Sequence, residues 1–319
     1  MMPTLGVVFP GQGSQAANMG ADVARLFPAA RECFERASAA VGYDMLSLVT
    51  NGTDDELRET RVSQPAIFTA NVAIYRAVET IGFTPIVSAG HSFGEYCSLT
   101  IARSLTFDDA VRLVNERGLA MGAAADLAPG SMAAIIGFDR EKVEAVCAQA
   151  RATTGARVDV ANLNAPLQIV VSGDVAGVDE VCELAKSDGA KRVVVLNVSG
   201  AWHSALMEPA VSRFAAHVEA AHLALPAFDV ISNVDVAPYR SVESIRRCLI
   251  ASLCSRVRWH ETAVALAAKR PDFIIECGAA PVLTPMMKRL PGAAPDRIMH
   301  VADAAGVSAL AAAAVKLPA

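Results

Sequence analysis

Gly90-His91-Ser92-Phe93-Gly94 sets a serine between two glycines, where a short β-branched run over 86–90 gives way to a helical pattern. This is the local sequence of a strand–turn–helix elbow. The turn is too tight for side chains beside the serine, and it presents the hydroxyl as a nucleophile. The same turn leaves Ser92 at a helix N-terminus, where free N–H groups and the helix dipole favour a developing oxyanion. An incidental serine in a glycine-bounded turn is the plainer reading of five residues alone. The strand before it and the helix after it favour the nucleophile.

A serine nucleophile needs a base, and six histidines are available: His91, His203, His217, His222, His260 and His300. His91 adjoins the serine, but the turn is expected to point its side chain away from Ser92. An α/β-hydrolase places its base late and after an acid, which would single out His260 or His300. His203 lies instead in the loop-like Ser199-Gly200-Ala201-Trp202-His203-Ser204. Residue types alone do not choose among them. Arg117 is more informative. On a helix over 107–124 the apolar stripe is Ala110, Leu113, Val114 and Met121, and Arg117 falls on it. A core-facing guanidinium requires a carboxylate, which it can bind bidentately. Either Glu95 supplies a structural ion pair, or Arg117 clamps the carboxylate of a substrate. Phe9-Pro10-Gly11-Gln12-Gly13-Ser14-Gln15 is not a dinucleotide fingerprint, but Gln12 at a strand end could offer its backbone N–H to a ligand.

The elements that carry these residues alternate short β-branched runs with longer helical patterns, an α/β arrangement. Strands are expected over 5–9, 86–90, 228–232 and 273–276. Helices are expected over 22–40 (interrupted at Pro28), 64–81, 107–124, from about 205, and over 242–254 and 261–269. Thr106 and Asp109 form a capping-box pattern. Between 128 and 199 the order becomes strand 132–138, helix 140–150, strands 157–161 and 169–173, helix 175–187 and strand 191–198. That β-α-β-β-α-β order is ferredoxin-like. The chain thus divides into a large domain, 1–127 with 200–319, and a small insertion, 128–199.

The chain has 319 residues, 53% hydrophobic and 19% charged, which supplies a large core and excludes an extended disordered tail. The net charge of −5 lacks the basic excess of a nucleic-acid-binding protein. Seven scattered cysteines without a CxxC pair speak against a disulfide framework or a zinc site, and fit a reducing cytoplasm. Residues 1–5 lack the positive region of a signal peptide. No uncharged apolar run approaches the roughly 20 residues that span a bilayer, and the alanine-rich 304–315 is too short. A soluble protein without membrane association is expected.

Taken together, the segments 9–15, Gln64-Pro65-Ala66, 90–95, Glu116-Arg117-Gly118, Asn162-Leu163-Asn164-Ala165-Pro166, His203-Ser204-Ala205-Leu206-Met207 and Ser232-Asn233-Val234 closely resemble malonyl-CoA:acyl-carrier-protein transacylases. The resemblance covers nearly the whole chain. It implies an α/β-hydrolase-like large domain with a central parallel sheet and an inserted ferredoxin-like domain. It also implies Ser92 as nucleophile, His203 as base, and the backbone N–H groups of Gln12 and Phe93 as oxyanion hole. Arg117 would hold the malonyl carboxylate, with Gln64, Asn162 and Trp202 completing the acyl pocket. The implied activity is malonyl transfer from malonyl-CoA to the phosphopantetheine thiol of an acyl carrier protein through an acyl-serine. The CoA thioester is a substrate, the phosphopantetheine arrives on the partner, and no metal or redox cofactor is needed.

Three positions depart from the family pattern. Trp202 stands where Phe usually precedes the catalytic histidine. Ser252-Leu253-Cys254-Ser255-Arg256 replaces a Gln followed by Asn-Pro, so the Ser252 carbonyl is expected to orient the histidine. Gly278-Ala279-Ala280-Pro281 replaces a Gly-Pro-Gly. Trp202 keeps open a same-fold enzyme moving a larger acyl or aminoacyl group between carrier proteins in polyketide biosynthesis. A serine hydrolase and a catalytically silent docking protein are further alternatives. Carrier proteins of this family are usually acidic, so docking needs a local basic patch. Lys191, Arg192, Lys288, Arg289 and Arg297 are the candidates, each also readable as solvated surface.

Overall fold

Leu5–Phe9, an apolar run without alternation, is buried along its whole length, as a strand covered on both faces of a parallel sheet must be. In the computed structural model, which describes residues 3–315, this run belongs to β1 (Thr4–Phe9). Met1 and Met2, part of the segment read above for a leader, lie outside the described residues. The remaining strands are β2 (Thr84–Gly90), β3 (Gly130–Ile136), β4 (Val158–Ala165), β5 (Gln168–Asp174), β6 (Arg192–Val195), β7 (Asp229–Ile231), β8 (Phe273–Cys277) and β9 (Ile298–Val301).

One sheet has the order β7-β2-β1-β8-β9 with every pairing parallel. All its strands therefore end at one edge, and the loops after β1, β2, β7 and β8 meet there. The other sheet, β4-β5-β3-β6, is antiparallel. With the helices Arg140–Thr154 and Val175–Ser187 it forms the ferredoxin-like unit expected from the sequence, around a core of its own that includes Ile135, Val160, Val171 and Val181. A larger core packs the helices Thr60–Glu79 and Phe107–Leu127 against the parallel sheet.

Several bounds differ from the sequence expectation. The second helix begins at Thr60, not at 64. Val62 and Ser63 already donate to Glu59 O, so Pro65, which signals a helix start, sits inside the second turn. The strand expected over 191–198 stops at Val195, where the chain peels off toward Ser199. The helix from 205 starts as a 3-10 turn, Ala205–Met207, before Glu208–Ala220. Helices Met45–Asn51 and Asp54–Arg58 and strand β9 carry too few residues to show a period, and the sequence reading does not contain them. All seven cysteines are unpaired. Among the described residues no helix is long and apolar enough to cross a membrane.

Candidate active site

Ser92 occupies the turn between β2 and the helix Gly94–Ile101 with φ 55°, a left-handed conformation that costs an L-residue roughly 1–2 kcal/mol. The two glycines make this geometry possible. A Cβ on Gly90 would lie 1.8 Å from the Gly94 carbonyl carbon, and one on Gly94 would lie 2.4 Å from Phe9 O. Asn233, in the loop after β7, braces the turn. Its Oδ1 accepts from Ser92 N–H at 3.0 Å and its Nδ2 donates to Gly90 O at 2.7 Å. Glu95 stands behind it, accepting from Asn233 N–H (3.2 Å) and from the Tyr239 hydroxyl. Burial pushes the Glu95 carboxyl up to about 7.

His203, 111 residues downstream, also adopts a positive φ of 60° and is buried. Its Nε2 lies 2.8 Å from Ser92 Oγ, and its Nδ1 lies 2.8 Å from Ser252 O and 3.1 Å from Ser255 O. Carbonyl oxygens only accept, so Nδ1 carries the proton and Nε2 presents its lone pair to the Ser92 hydroxyl. Burial, reinforced by the positive charge of Arg117, pulls the imidazole down to about 3 and keeps it neutral. The expectation that the Ser252 carbonyl meets this ring agrees with the contact, and Ser255 adds a second one that the sequence reading does not contain. Of the other histidines, His91 turns to Asn164 Oδ1 (2.9 Å), His300 to Gly278 O (2.7 Å) and His217 toward Glu116 (3.4 Å). His260 and His222 do not line the cavity at Ser92.

Arg117 is 1% exposed. Glu95, its nearest sequence candidate for an ion pair, is taken by Tyr239 and Asn233, and among the described residues no carboxylate lies in ion-pair range of Arg117. The guanidinium donates instead to Gln64 Oε1 at 2.9 Å and to Ser92 Oγ at 3.4 Å, while Nε has no acceptor. Burial pulls it below the usual arginine value. A charge so poorly satisfied is costly to bury, and Arg117 lines the cavity at Ser92.

That cavity, about 150 Å³, is lined by Ser92, His203, Arg117, Asn162, Trp202 and Gln12 among others. The strand position of Asn162 is fixed by its pairings with Val170 and Val257. The Trp202 indole is 5% exposed and lies over Gly200; its Nε1 has no partner. Gln12 ties its side chain to Thr60 Oγ1 (3.0 Å). Among the described residues neither Gln12 N–H nor Phe93 N–H donates to a protein acceptor, so both remain available at the serine. Glu276 in β8, fully buried, accepts from the N–H groups of Val282, Leu283 and Thr284 at 2.9, 2.8 and 2.6 Å. It thereby folds the Gly278–Pro281 departure into a loop that brings Val282 and Met286 to the cavity. Asn233, Tyr239 and Glu276 have no role in the sequence reading. The one signal for Glu276 is an acid inside the apolar run Phe273–Cys277.

Of the basic candidates, the exposed Lys288 and Arg289 follow Met286, which lines the cavity, and Lys191 and Arg192 lie at β6. Arg297 does not join them. It precedes β9, at the opposite end of the parallel sheet from Ser92, because β9 runs in the same direction as β2.

This geometry, a neutral imidazole on a strained serine beside two free amides and an unpaired guanidinium, is equipped for acyl transfer through a covalent serine ester. Comparison with known proteins points the same way. A family model described as an acyl transferase domain matches residues 7–301. The malonyl CoA-acyl carrier protein transacylase of Haemophilus influenzae is 41% identical over 293 residues, covering 91% of this chain and 93% of that protein. The solved structure of the malonyl CoA-acyl carrier protein transacylase from Coxiella burnetii matches with a TM-score of 0.93 at 37% identity, covering 98% of both chains. A type II PKS acyl-carrier protein in complex with its malonyl-transacylase matches with a TM-score of 0.89 at 37% identity, covering 96% of this chain and 98% of that one. The chain belongs to the malonyl-CoA:acyl-carrier-protein transacylase family of acyl transferases.

Proposed function

We propose that this chain moves a malonyl group from malonyl-CoA to the phosphopantetheine thiol of an acyl carrier protein, through an ester on Ser92. In the first half-reaction Ser92 Oγ attacks the thioester carbonyl while His203 Nε2 takes its proton. The oxyanion receives hydrogen bonds from Gln12 N–H and Phe93 N–H. The C–S bond breaks as His203 returns the proton to the departing CoA sulfur. In the second half-reaction the pantetheine thiol gives its proton to His203, its sulfur attacks the ester carbonyl, and Ser92 leaves with that proton. The Ser252 carbonyl keeps the imidazole in the required tautomer throughout. Arg117, oriented by Gln64, pairs with the malonyl carboxylate, and Asn162 and Trp202 bound the acyl chain. CoA is a substrate in this scheme and the second thiol belongs to the partner, so no resident cofactor or metal is assigned.

The observation that carries the reading is the unpaired guanidinium of Arg117, buried 3.4 Å from Ser92 Oγ. Such a cation awaits an anionic acyl group, which neither a simple esterase nor an acetyl carrier requires. Lys288 and Arg289, exposed and close in sequence to the cavity-lining Met286, provide positive charge for an acidic carrier, with the insertion 128–199 contributing Asn162, Leu196 and Val198 to the cavity wall. A cytoplasmic location suits both substrates. Intact-protein mass spectrometry after incubation with malonyl-CoA tests the assignment: the wild type gains one malonyl group that a holo-carrier protein removes, and Ser92→Ala gains none. Stoichiometric malonylation of Ser92→Ala would refute it.

A further inference from the structure

The elbow has a brace from outside its own strand and helix. Asn233 is 2% exposed, and its two amide atoms are both committed to the turn, Oδ1 to Ser92 N–H and Nδ2 to Gly90 O. It thus bridges the residue before His91 and the residue after it, holding the two ends of the segment that must stay kinked for Ser92 to keep a φ of 55°. Its own main chain is tied on both sides, through Glu95 accepting its N–H and through its carbonyl accepting from Arg258 N–H. The Ser92 N–H is the amide just before the one, on Phe93, that has no protein acceptor. Fixing the first peptide plane leaves only φ and ψ of Ser92 between it and the second, and the left-handed φ of 55° narrows the directions open to the Phe93 N–H.

We propose that Asn233 is a positioning residue for the acyl-transfer step: its side-chain amide, acting as acceptor and donor at once, sets the direction of the Phe93 N–H relative to Ser92 Oγ. The inference rests on Ser92 being the nucleophile, but not on the identity of the acyl group. Misplacement of a catalytic group by about 1 Å costs on the order of 100-fold in rate, and this sets the expected size of the effect.

The test uses the full-length protein and a small fluorophosphonate, whose phosphoryl oxygen occupies the oxyanion site whatever the natural acyl donor. Phosphonylation of Ser92 is followed by mass spectrometry. Asn233→Ala should react about 100-fold more slowly, with the loss in the maximal rate and not in probe binding. Asn233→Asp supplies the decisive readout. A protonated carboxyl reproduces the amide, with one oxygen accepting and one hydroxyl donating, whereas a carboxylate faces Gly90 O with a second acceptor. The rate ratio of Asn233→Asp to wild type should therefore rise at least about tenfold as pH falls from 8 to 5. Glu95, Tyr239, Asp235 and Arg258 flank the position, with Arg117 and His203 across the elbow. All are common to both proteins, but Glu95 titrates inside this window in contact with Asn233 N–H. It is removed as a source by repeating the ratio in a Glu95→Gln background, where the rise should persist and its loss overturns the proposal.

A pH-independent ratio, high or low, overturns the proposal, as does wild-type reactivity in Asn233→Ala. If Asn233→Ala fails to fold, the Asn233→Asp ratio decides alone. Malonyl transfer is measured on the same samples. A wild type that is phosphonylated at Ser92 but takes no malonyl group overturns the proposed function and leaves the clamp standing. A Ser92 inert to the probe overturns both.

Discussion

Replacing Arg117 by Met separates what the guanidinium does for a substrate from what it does to the fold. In the free protein the side chain is buried, has one good acceptor in Gln64 and a long contact to Ser92, and leaves Nε unsatisfied. Replacing buried charged groups by apolar side chains of similar volume is often neutral and otherwise stabilises by up to about 4 kcal/mol. Gln64 Oε1 then loses its donor, which costs about 1 kcal/mol or somewhat more. The expected net effect on unfolding free energy therefore runs from about 1 kcal/mol against Arg117→Met to about 3 kcal/mol in its favour. With malonyl-CoA the balance reverses. Removing one partner of a desolvated charge pair costs about 2–5 kcal/mol, or roughly 30- to 5,000-fold in kcat/KM at one decade per 1.36 kcal/mol. Acetyl-CoA has no carboxylate to lose, so its transfer should change by no more than about threefold. Denaturant unfolding gives the first quantity and acyl-serine formation from the two donors gives the second. Equal losses for malonyl and acetyl, or a variant less stable than wild type by more than about 1 kcal/mol, would show that Arg117 is a structural residue.

His203 and Gly200 furnish three further tests. Because His203 is held down to about 3 in the fold, against about 6.5 in an unfolded chain, its acid limb in kcat/KM of the free enzyme should fall well below pH 6; a limb at 6.5 or above contradicts the burial argument. The same shift has a stability consequence. Between about pH 3 and 6.5 the unfolded state binds the extra proton, so stability rises with pH across that window and levels off above it; His203→Gln should lose less stability on acidification from pH 7 to 4.5 than wild type does. A Cβ on Gly200 would lie 2.6 Å from Trp202 Cη2 and 2.8 Å from Ala125 Cβ, so Gly200→Ala should drive the indole into the acyl cavity. Since a methylene-sized change in a pocket is worth about 10- to 200-fold, kcat/KM for malonyl-CoA should fall at least about tenfold, and unchanged malonyl kinetics in a folded variant would remove Trp202 from the pocket wall.

What the sequence discloses about this molecule follows the range over which each interaction acts. The turn at Ser92 is legible because its cause is local: Gly90 and Gly94 stand where any Cβ would overlap backbone. The ferredoxin-like unit is legible because four strands and two helices each carry their own period in an uninterrupted run. The burial of Arg117 is legible for the same reason, one helix and one stripe, but its partner is not. Nearness in sequence points to Glu95, yet that carboxylate is held by Tyr239 and Asn233, 144 and 138 residues away. The contact that fixes the His203 tautomer leaves no trace in residue type, because the acceptors are the main-chain carbonyls of Ser252 and Ser255. β9 is invisible for a different reason, having four residues with His300 among them. These distant contacts nonetheless share one geometric cause. A parallel sheet delivers every strand end to the same edge, so the loops that follow β1, β2, β7 and β8 supply Gln12, Ser92, Asn233 and Val282 to one place. Strand order is thus the missing variable: β7 beside β2 brings an asparagine two residues past the end of β7 within hydrogen-bond reach of the elbow backbone.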